Sequence, residues 1–498
     1  MKAIILAAGI GSRLRPITNE KPKTLVKVNN KAILGNLIDA LIYSGITNIV
    51  LCIGYCHSQI INYCKLHYPN IYFEFIWNKE FDVTNNMYSL YLAKDYLDED
   101  IVLMNADLVI DKEIMYELIQ HQCTSVAVEK NRYIDESMKI SVFNGDINAI
   151  SKSIPREDAY GTSIDIYKIL KEDLDVLKTE LIKIIEKDSR RNEWTEVLLN
   201  QLFSSKKIIA KPYNINSKKW CEIDNFQDLN AAEILFSTKI NQIKNKKVFF
   251  LDIDGTLALG NTLIDGTKEF IYELTNKERK IFIVTNNSSK TPKQHLQKLM
   301  NLGFEVSEDN ILVSTDSALE YLKRKNIQKV YWIANESVSD YLNSKGLIFD
   351  DVSPQVLLLT YDTEINYSKI LKFIKFLDKG IPYFATHEDL VCPTETYNIP
   401  DIGTFINLIK TTTNVLPNKI FGKPNKSFID GTLKKNKFTY DDAVVIGDRL
   451  YTDIQLAVDS GITSILVLSG DTKREEYENS KIEADIIVNS VKDLIQYI

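Results

Sequence analysis

The 498-residue chain has little of what would quickly assign it to a class of protein. It has only six cysteines and five histidines, and no run of about 18 consecutive apolar residues that could form a membrane-spanning helix. The N-terminal apolar run breaks at Gly9, without the longer apolar region and cleavage site of a secretory leader. We therefore expect a cytoplasmic protein that does not insert into a membrane.

The scarcity of cysteine and the excess of acidic over basic residues exclude further classes of protein. Cys52 and Cys56 are four positions apart, with no C-x-x-C pair and no cluster of histidines, so we expect free thiols rather than zinc ligands. The net charge of −7 argues against a nucleic-acid-binding protein. Any polyanion that the chain binds must therefore be small and held at a local basic site.

Short apolar runs alternate with stretches of helical periodicity, which predicts an α/β fold with helices on both faces of a sheet. KAIILAA (2–8) and NIVLCIG (48–54) are typical of buried strands, and residues 33–45 carry apolar side chains at helical spacing. A second series of such strands begins with KVFFLDID at 247. The length exceeds what one hydrophobic core usually supports, so we expect more than one domain.

The boundary is predicted from a helix-like and then basic stretch, 231–247. We place one domain at 1–235, a linker at 236–246 and a second domain at 247–498. The two halves do not share their strand-end motifs and show no internal repeat. The sequence therefore predicts a fusion of two unlike domains.

The first strand runs into a glycine-rich, basic loop, Gly9-Ile10-Gly11-Ser12-Arg13-Leu14. Leu14 stands where a dinucleotide-binding G-x-G-x-x-G loop has its third glycine, and no G-K-[ST] of a Walker loop follows. Arg13 and Lys23 supply cations instead, which favours a triphosphate under attack, where charge must be neutralised. The alternative is a solvated basic turn.

Two aspartates predict a metal site near this loop. Asp107 follows the apolar strand 101–104, at the carboxyl end where open α/β sheets bind ligands. Asp224, in the segment Lys218–Asp224, offers a second carboxylate. Two aspartates that hold Mg²⁺ between phosphates suit nucleotidyl transfer.

These residues resemble a known family. The pattern A-A-G-x-G-S-R-L-x-P with a downstream P-K-x-L resembles nucleotidyltransferases that make sugar-nucleotides and CDP-alcohols. Asn85–Leu90 is similar to the N-N-x-Y-S segment of the small cytidylyltransferases, which act on phosphocholine, 2-aminoethylphosphonate and related compounds. Other segments similar to that subgroup are Met138-Lys139-Ile140, Ile150-Ser151-Lys152 and Gly161-x-Ser163.

The resemblance implies a Rossmann-like nucleotidyltransferase fold that uses CTP, Mg²⁺ and a small phosphorylated alcohol such as phosphocholine or glycerol phosphate. Arg13 and Lys23 would be catalytic, and Asp107 and Asp224 would hold Mg²⁺. The residues implied to bind the nucleotide are Ala8, Gly9, Gly11, Ser12, Arg13, Lys23, Gly54, Tyr55, Asn86, Ser89 and Asn105. A sugar 1-phosphate with UTP, dTTP or GTP is an alternative pair of substrates.

The acceptor stays open at the level of sequence. The candidates for binding it are Lys139, Lys152, Tyr160, Glu193 and Trp194. A quaternary ammonium would need an aromatic cage, to which Tyr88, Tyr160 and Trp194 are candidates. Glu193 and Glu196 suit an amine or a polyol, whereas Arg156, Arg190 and Arg191 would suit an acidic acceptor.

The second domain opens with Asp252-Ile253-Asp254-Gly255-Thr256 after an apolar run. Side chains at i and i+2 of an extended chain point the same way, so Asp252 can be a nucleophile and Asp254 a general acid and base. Three further strand ends carry polar residues in order, at Thr285, at Lys423 and at 447–453.

This set resembles the haloacid dehalogenase superfamily, which implies an aspartyl-phosphate mechanism on a Rossmannoid core. Thr285 and Lys423 would hold phosphoryl oxygens. The residues implied to bind Mg²⁺ are Asp252, Asp254 (through its carbonyl), Asp448 and Asp453.

The long interval between Thr285 and Lys423 predicts an inserted α/β cap, roughly 318–412, which resembles the nitrophenylphosphatase-like subgroup. The candidates for binding substrate are Asn286, which follows Thr285 in the core, and His387 in the predicted cap. Together the halves predict a bifunctional enzyme whose two sites act on different phosphoesters. The alternative is a catalytically silent regulatory module in one half, and the sequence gives no oligomeric state.

Overall fold

The computed structural model describes residues 1–304, 306–393 and 397–498. The chain forms two compact units, Met1–Phe236 and Ser237–Ile498. Within the described ranges, none of the helices combines the length and the apolar character needed to span a bilayer.

The first unit is built on a nine-stranded mixed sheet. The strands of this unit are β1 (Lys2–Ala7), β2 (Lys27–Val28), β3 (Lys31–Ala32), β4 (Asn48–Ile53), β5 (Tyr72–Trp77), β6 (Ile101–Asn105), β7 (Leu108–Ile110), β8 (Ser125–Lys130), β9 (Lys139–Phe143), β10 (Asp146–Ser151), β11 (Gly161–Ile169), β12 (Lys211–Asn214) and β13 (Trp220–Glu222). Its helices are α1 (Ile33–Tyr43), α2 (His57–His67), α3 (Asn86–Leu92), α4 (Lys112–Gln120), α5 (Lys171–Ile182), α6 (Thr195–Ser204) and α7 (Phe226–Phe236).

The sheet order is β10-β9-β11-β6-β1-β4-β5, with β8 beside β11 and β12 beside β8. Strand β1 is buried along its whole length and lies parallel to β4 and β6, in register Ile5 to Leu51 and Ile5 to Met104. The carboxyl ends of these three strands therefore meet at one edge. Strand β13 pairs antiparallel with β7, which brings the chain after Glu222 back to the same edge.

The second unit has two parallel sheets. Its strands are β14 (Val248–Leu251), β15 (Ala258–Leu259), β16 (Thr262–Leu263), β17 (Lys280–Thr285), β18 (Ile311–Val313), β19 (Lys329–Ile333), β20 (Ile348–Phe349), β21 (Val356–Leu359), β22 (Tyr383–Ala385), β23 (Val391–Pro393), β24 (Asn398–Pro400), β25 (Lys419–Ile420), β26 (Ala443–Gly447), β27 (Thr463–Val467) and β28 (Ile486–Val488). Its helices are α8 (Thr267–Asn276), α9 (Pro292–Asn301), α10 (Ser314–Arg324), α11 (Glu336–Ser344), α12 (Tyr367–Asp378), α13 (Ile402–Thr413), α14 (Ser427–Lys435), α15 (Gln455–Ser460) and α16 (Arg474–Asn479).

The core sheet of this unit has the order β18-β17-β14-β26-β27-β28, and the second sheet has the order β20-β19-β21-β22-β25. The second sheet is inserted in the chain between β18 and β26, and we call the region from β19 to β25 the cap. Strands β14, β17 and β26 are adjacent and parallel, so the polar residues that follow them meet at one edge. The predicted α/β class of both halves is confirmed.

The segment proposed as a linker has structure of its own. Residues Ile240–Asn245 form a 3-10 helix in which Ile240 and Ile243 are buried. This segment therefore packs as part of the second unit.

Candidate active sites

The loop after β1 lines a cavity of about 580 Å³ in the first unit. Predicted nucleotide-binding residues that line it are Ala8, Gly9, Gly11, Ser12, Arg13, Lys23, Asn86, Ser89 and Asn105. Gly11 has a φ of +70°, and a Cβ atom there would lie 2.7 Å from the Cβ of Lys23. Glycine at this position therefore lets the lysine stem pass close to the loop.

Lys23 lies between the two predicted metal-binding aspartates. Its ammonium donates hydrogen bonds to Asp107 (2.9 Å) and Asp224 (2.8 Å), and Arg13 pairs with Asp224 at 2.9 Å. Burial alone would lower the pKa of Lys23, but the two carboxylates outweigh burial and raise it. Burial likewise opposes ionisation of Asp224, yet the cations lower the pKa of its carboxyl group. Both partners are thus held charged.

Asp107, Glu222 and Asp224 offer oxygens that all lie within 4.8 Å of one another. Oδ1 of Asp107 is buried and finds no hydrogen-bond partner in the described ranges of the chain. Hard carboxylate oxygens with an unsatisfied acceptor fit Mg²⁺. Glu222 was not predicted, although it lies two positions before Asp224 at the end of β13 and so shares a direction with it.

Acidic side chains dominate the rest of the cavity. Among the described residues, four cations line it, Arg13, Lys23, Arg132 and Lys152. Seven carboxylates do so, and they are Asp107, Glu136, Asp165, Glu196, Glu222, Asp224 and Asp228.

Asp165 reaches the cavity because of an irregularity in β11. The pairing register with β8 shifts between Ser163 and Tyr167, and Asp165 adopts a φ of +56°. The Tyr167 hydroxyl lies 2.9 Å from both Asp165 Oδ1 and Glu196 Oε1. Burial, followed by repulsion from Glu196, raises the pKa of Asp165 to about 8. Burial and then Asp107 raise the pKa of Glu222 to about 8 as well.

Two of the predicted acceptor-binding residues line the cavity. Lys152 and Trp194 do so, with the ammonium 4.6 Å from the indole ring centroid. Lys139 is instead 1% exposed, and its ammonium donates to the carbonyl oxygen of Asp135 at 2.8 Å. Glu193 pairs with Arg190 at 2.9 Å.

The described lining of the cavity does not include Gly54, Tyr55, Tyr88 or Tyr160. Gly54 supports the loop, because a Cβ atom there would lie 2.6 Å from the carbonyl oxygen of Ala8. The hydroxyl of Tyr88 donates a hydrogen bond to Glu80 at 2.9 Å, and the Lys130 ammonium lies over the Tyr160 ring, 5.2 Å from its centroid. Of the three aromatics proposed for a cage, Trp194 alone lines the cavity.

The second site lies at the carboxyl edge of the core sheet in the second unit. The buried Lys423 ammonium pairs with Asp252 and lies 2.6 Å from Asp453. Thr285, at the end of β17, is 3% exposed and accepts a hydrogen bond from the Asn287 N–H at 3.1 Å. Asp252, Lys423 and Asp453 therefore contact one another, and the Lys423 ammonium also donates to the carbonyl oxygen of Val284, the residue before Thr285, at 3.2 Å.

Asp252, Asp448 and Asp453 are buried, and their oxygens lie within 4.8 Å of one another. Burial raises the pKa of Asp252 well above its usual range and that of Asp448 to about 7. Oδ1 of Asp448 is buried and accepts no hydrogen bond from the described residues. Because a cation would offset the cost of burying these charges, the three side chains fit Mg²⁺.

A glycine packs directly against this cluster of aspartates. Gly255 has a φ of +94°, and a Cβ atom there would lie 2.1 Å from Asp448 Oδ2. The turn after Asp254 therefore depends on glycine. The Asp254 side chain lies outside the cluster and pairs with Lys298 at 2.8 Å.

The cap reaches the core through Asp389. Its carboxylate accepts from Arg449 at 3.0 Å and from the Asn286 amide at 3.3 Å. Asn286 also accepts from the Lys423 N–H at 2.8 Å, so it joins cap and core. His387 is fully buried and donates to Asp401 at 2.9 Å. Burial lowers its pKa, but Asp401 outweighs burial and raises it.

Comparison with family models divides the chain in the same way. Residues 2–133 match the nucleotidyl transferase family, residues 249–348 match the haloacid dehalogenase-like hydrolases, and residues 420–494 match a HAD-hydrolase-like family. The resemblance of the first half to nucleotidyltransferases and that of the second half to the haloacid dehalogenase superfamily are thereby confirmed.

Known relatives match about half of the chain. The acid sugar phosphatase of Staphylococcus haemolyticus is 30% identical over 236 residues, which is 47% of this chain and 89% of that protein. The 5′-nucleotidase YutF of Bacillus subtilis is 26% identical over 51% of this chain and 100% of its own. The crystal structure of a 4-nitrophenylphosphatase from Thermotoga maritima has 31% identity and a TM-score of 0.50, and the match covers 51% of this chain and 98% of that one.

Proposed function

The chain belongs to the haloacid dehalogenase-like hydrolases through its second unit, and we propose that this unit hydrolyses a small phosphomonoester with Asp252 as nucleophile. The Asp252 carboxylate attacks phosphorus, the bond to the leaving oxygen breaks, and Asp254 gives that oxygen a proton. Water then attacks the aspartyl phosphate, Asp254 takes a proton from the water, and phosphate leaves. Lys423 and Thr285 hold phosphoryl oxygens.

Asp252, Asp448 and Asp453 would hold Mg²⁺ together with the Asp254 carbonyl oxygen. When bound, the metal supplies charge neutralisation at the phosphoryl oxygens. The chain itself contributes Lys423, which the two carboxylates around it keep charged.

For the first unit, we propose transfer of a cytidylyl group from CTP to a small phosphorylated alcohol. A phosphate oxygen of the acceptor attacks the α-phosphorus of CTP, and the bond to pyrophosphate breaks. The loop at Gly9–Arg13 would cradle the triphosphate, and Lys23 would neutralise the charge that develops. Asp107 and Asp224, with Glu222 beside them, would hold Mg²⁺.

The observation that bears most on the acceptor is the pair of cavity-lining carboxylates Asp165 and Glu196, of which Glu196 is buried and Asp165 is partly buried. Carboxylates that are removed from water with no cation beside them are costly, and an ammonium group placed next to them offsets that cost. Trp194 adds an aromatic face in the same cavity. We therefore propose an acceptor that carries both a phosphoryl group and a cation, as phosphocholine and 2-aminoethylphosphonate do.

Two isosteric variants test the assignment of each activity to its unit. Asp252→Asn is expected to abolish phosphate release while pyrophosphate release from CTP and acceptor persists, and Asp107→Asn is expected to do the reverse. We further propose that the two sites prefer different phosphoesters. If one compound is the best substrate of both, that part of the proposal fails, and if neither variant separates the activities, the division of labour fails.

A further inference from the structure

The general acid and base of the phosphatase site has a lysine partner. The Lys298 ammonium donates to Asp254 Oδ1 at 2.8 Å, and the side chains are 14% and 27% exposed. No step proposed above uses this lysine.

The helix that carries Lys298 is fixed at its start. Helix α9 begins with a reciprocal capping pair, in which the side chains of Thr291 and Gln294 each accept from the other's backbone N–H. One turn before Lys298, the buried His295 donates from Nε2 to the carbonyl oxygen of Asn287 at 3.0 Å. Helix α9 is therefore bonded to the loop that follows Thr285, and Thr285 is the residue proposed to hold phosphoryl oxygens.

His295 and Lys298 are three positions apart and so lie on one face of α9. His295 contacts the loop that follows Thr285, and Lys298 contacts Asp254. This face therefore sets the position of the acid relative to the phosphoryl group. A lysine on a fixed helix also loses less freedom when it pairs than one on a mobile loop.

We propose that Lys298 is a positioning residue of the phosphatase. By binding Oδ1 of Asp254, it leaves Oδ2 to give the proton to the leaving oxygen. This inference rests on the proposed phosphatase activity of the second unit. A proton donor matters most for a poor leaving group and little for one that departs as a stable anion.

A series of 4-substituted phenyl phosphates isolates this role, because its members share a shape and differ in the leaving group. The value of kcat/KM reports on the steps up to departure of the phenol. Lys298→Met is expected to lower kcat/KM by a factor that grows as the leaving group becomes poorer. The expected decrease is within about 3-fold for 4-nitrophenyl phosphate and about 10-fold or more for phenyl phosphate.

The conservative variant Lys298→Arg retains a cationic donor and is expected to recover most of the loss. Lys293→Met changes an exposed lysine on the same helix and is the matched control, expected to follow the wild-type trend. Melting temperatures establish that each variant is folded.

A loss of the same factor on every aryl phosphate, or no loss at all, would overturn the positioning role. If the wild-type chain with Mg²⁺ hydrolyses none of these compounds, the proposed phosphatase activity fails instead. The two failures are therefore distinguishable.

Discussion

Lys23 and Asp224 are 201 positions apart in the chain, yet the lysine ammonium lies 2.8 Å from the aspartate carboxylate. The same ammonium lies 2.9 Å from Asp107. The lysine ammonium therefore lies between two carboxylates that suit a metal ion.

We predict that Lys23→Met lowers the rate of nucleotidyl transfer by about 100-fold or more, because a fixed charge at the transition state is lost. The freed carboxylates should bind Mg²⁺ more tightly when no nucleotide is present. The Mg²⁺-induced rise in melting temperature, measured without CTP, should exceed that of the wild type. An equal rise together with full activity would remove Lys23 from the mechanism.

We predict that Asp165→Asn weakens the acceptor site and stabilises the free protein. Loss of the carboxylate should raise KM for phosphocholine about 10-fold while KM for CTP stays nearly constant. Asparagine tolerates the positive φ at this position, so the backbone is not strained.

The stability effect has a defined sign. The pKa of Asp165 is about 8 in the folded chain, above its usual value of 3.8. The folded state therefore binds the extra proton between these values, and stability falls as pH rises toward 8. Asp165→Asn does not undergo this decrease in stability. Its melting temperature at pH 8 should therefore exceed that of the wild type by about 2 °C or more. A lower melting temperature would show that the carboxylate stabilises the fold.

The sequence predicted the strand-end residues well because parallel strands bring their carboxyl ends to one edge. Asp107, Asp252 and Asp448 each follow an apolar run, and the sheet order places them as expected. Asp165 could not be predicted, since its direction depends on a register shift inside β11. A regular strand would have given Asp165 and Tyr167 the same face.

Other residues were missed because tertiary partners decide their roles. In the sequence, Lys298 is typical of a solvated residue on a helix, and only the tertiary structure brings it beside Asp254. Lys139 was proposed to bind the acceptor, but its ammonium instead donates to the carbonyl oxygens of Ile134 and Asp135 in the turn before β9. His387 was proposed to bind substrate, but its side chain is fully buried and bonded to Asp401.

We predict that Mg²⁺ stabilises the second unit through Asp448. Addition of millimolar MgCl₂ should raise the melting temperature of the Asp107→Asn variant, in which the metal site of the first unit is impaired. Asp448→Asn in that background should abolish most of the rise and the hydrolysis of 4-nitrophenyl phosphate. A full rise in the double variant would place the stabilising ion elsewhere.

We predict that His295 weakens the fold at mildly acidic pH. Burial lowers its pKa to about 4, so the unfolded state binds its proton first as pH falls from about 6.5. Stability should therefore drop by about 3 kcal/mol between pH 6.5 and 4 through this group alone. His295→Gln keeps a donor and removes the titration, so urea unfolding should show a shallower decline than in the wild type. Parallel declines would contradict this assignment.

The most direct test of the central claim measures pyrophosphate release by the Asp252→Asn variant, which cannot destroy the acceptor. CTP, UTP, dTTP and GTP are each supplied with phosphocholine, 2-aminoethylphosphonate, glycerol 3-phosphate and glucose 1-phosphate. The account predicts release with CTP and a cationic acceptor, at least 10-fold faster than with glycerol 3-phosphate. Release only with glucose 1-phosphate and UTP, dTTP or GTP would contradict it.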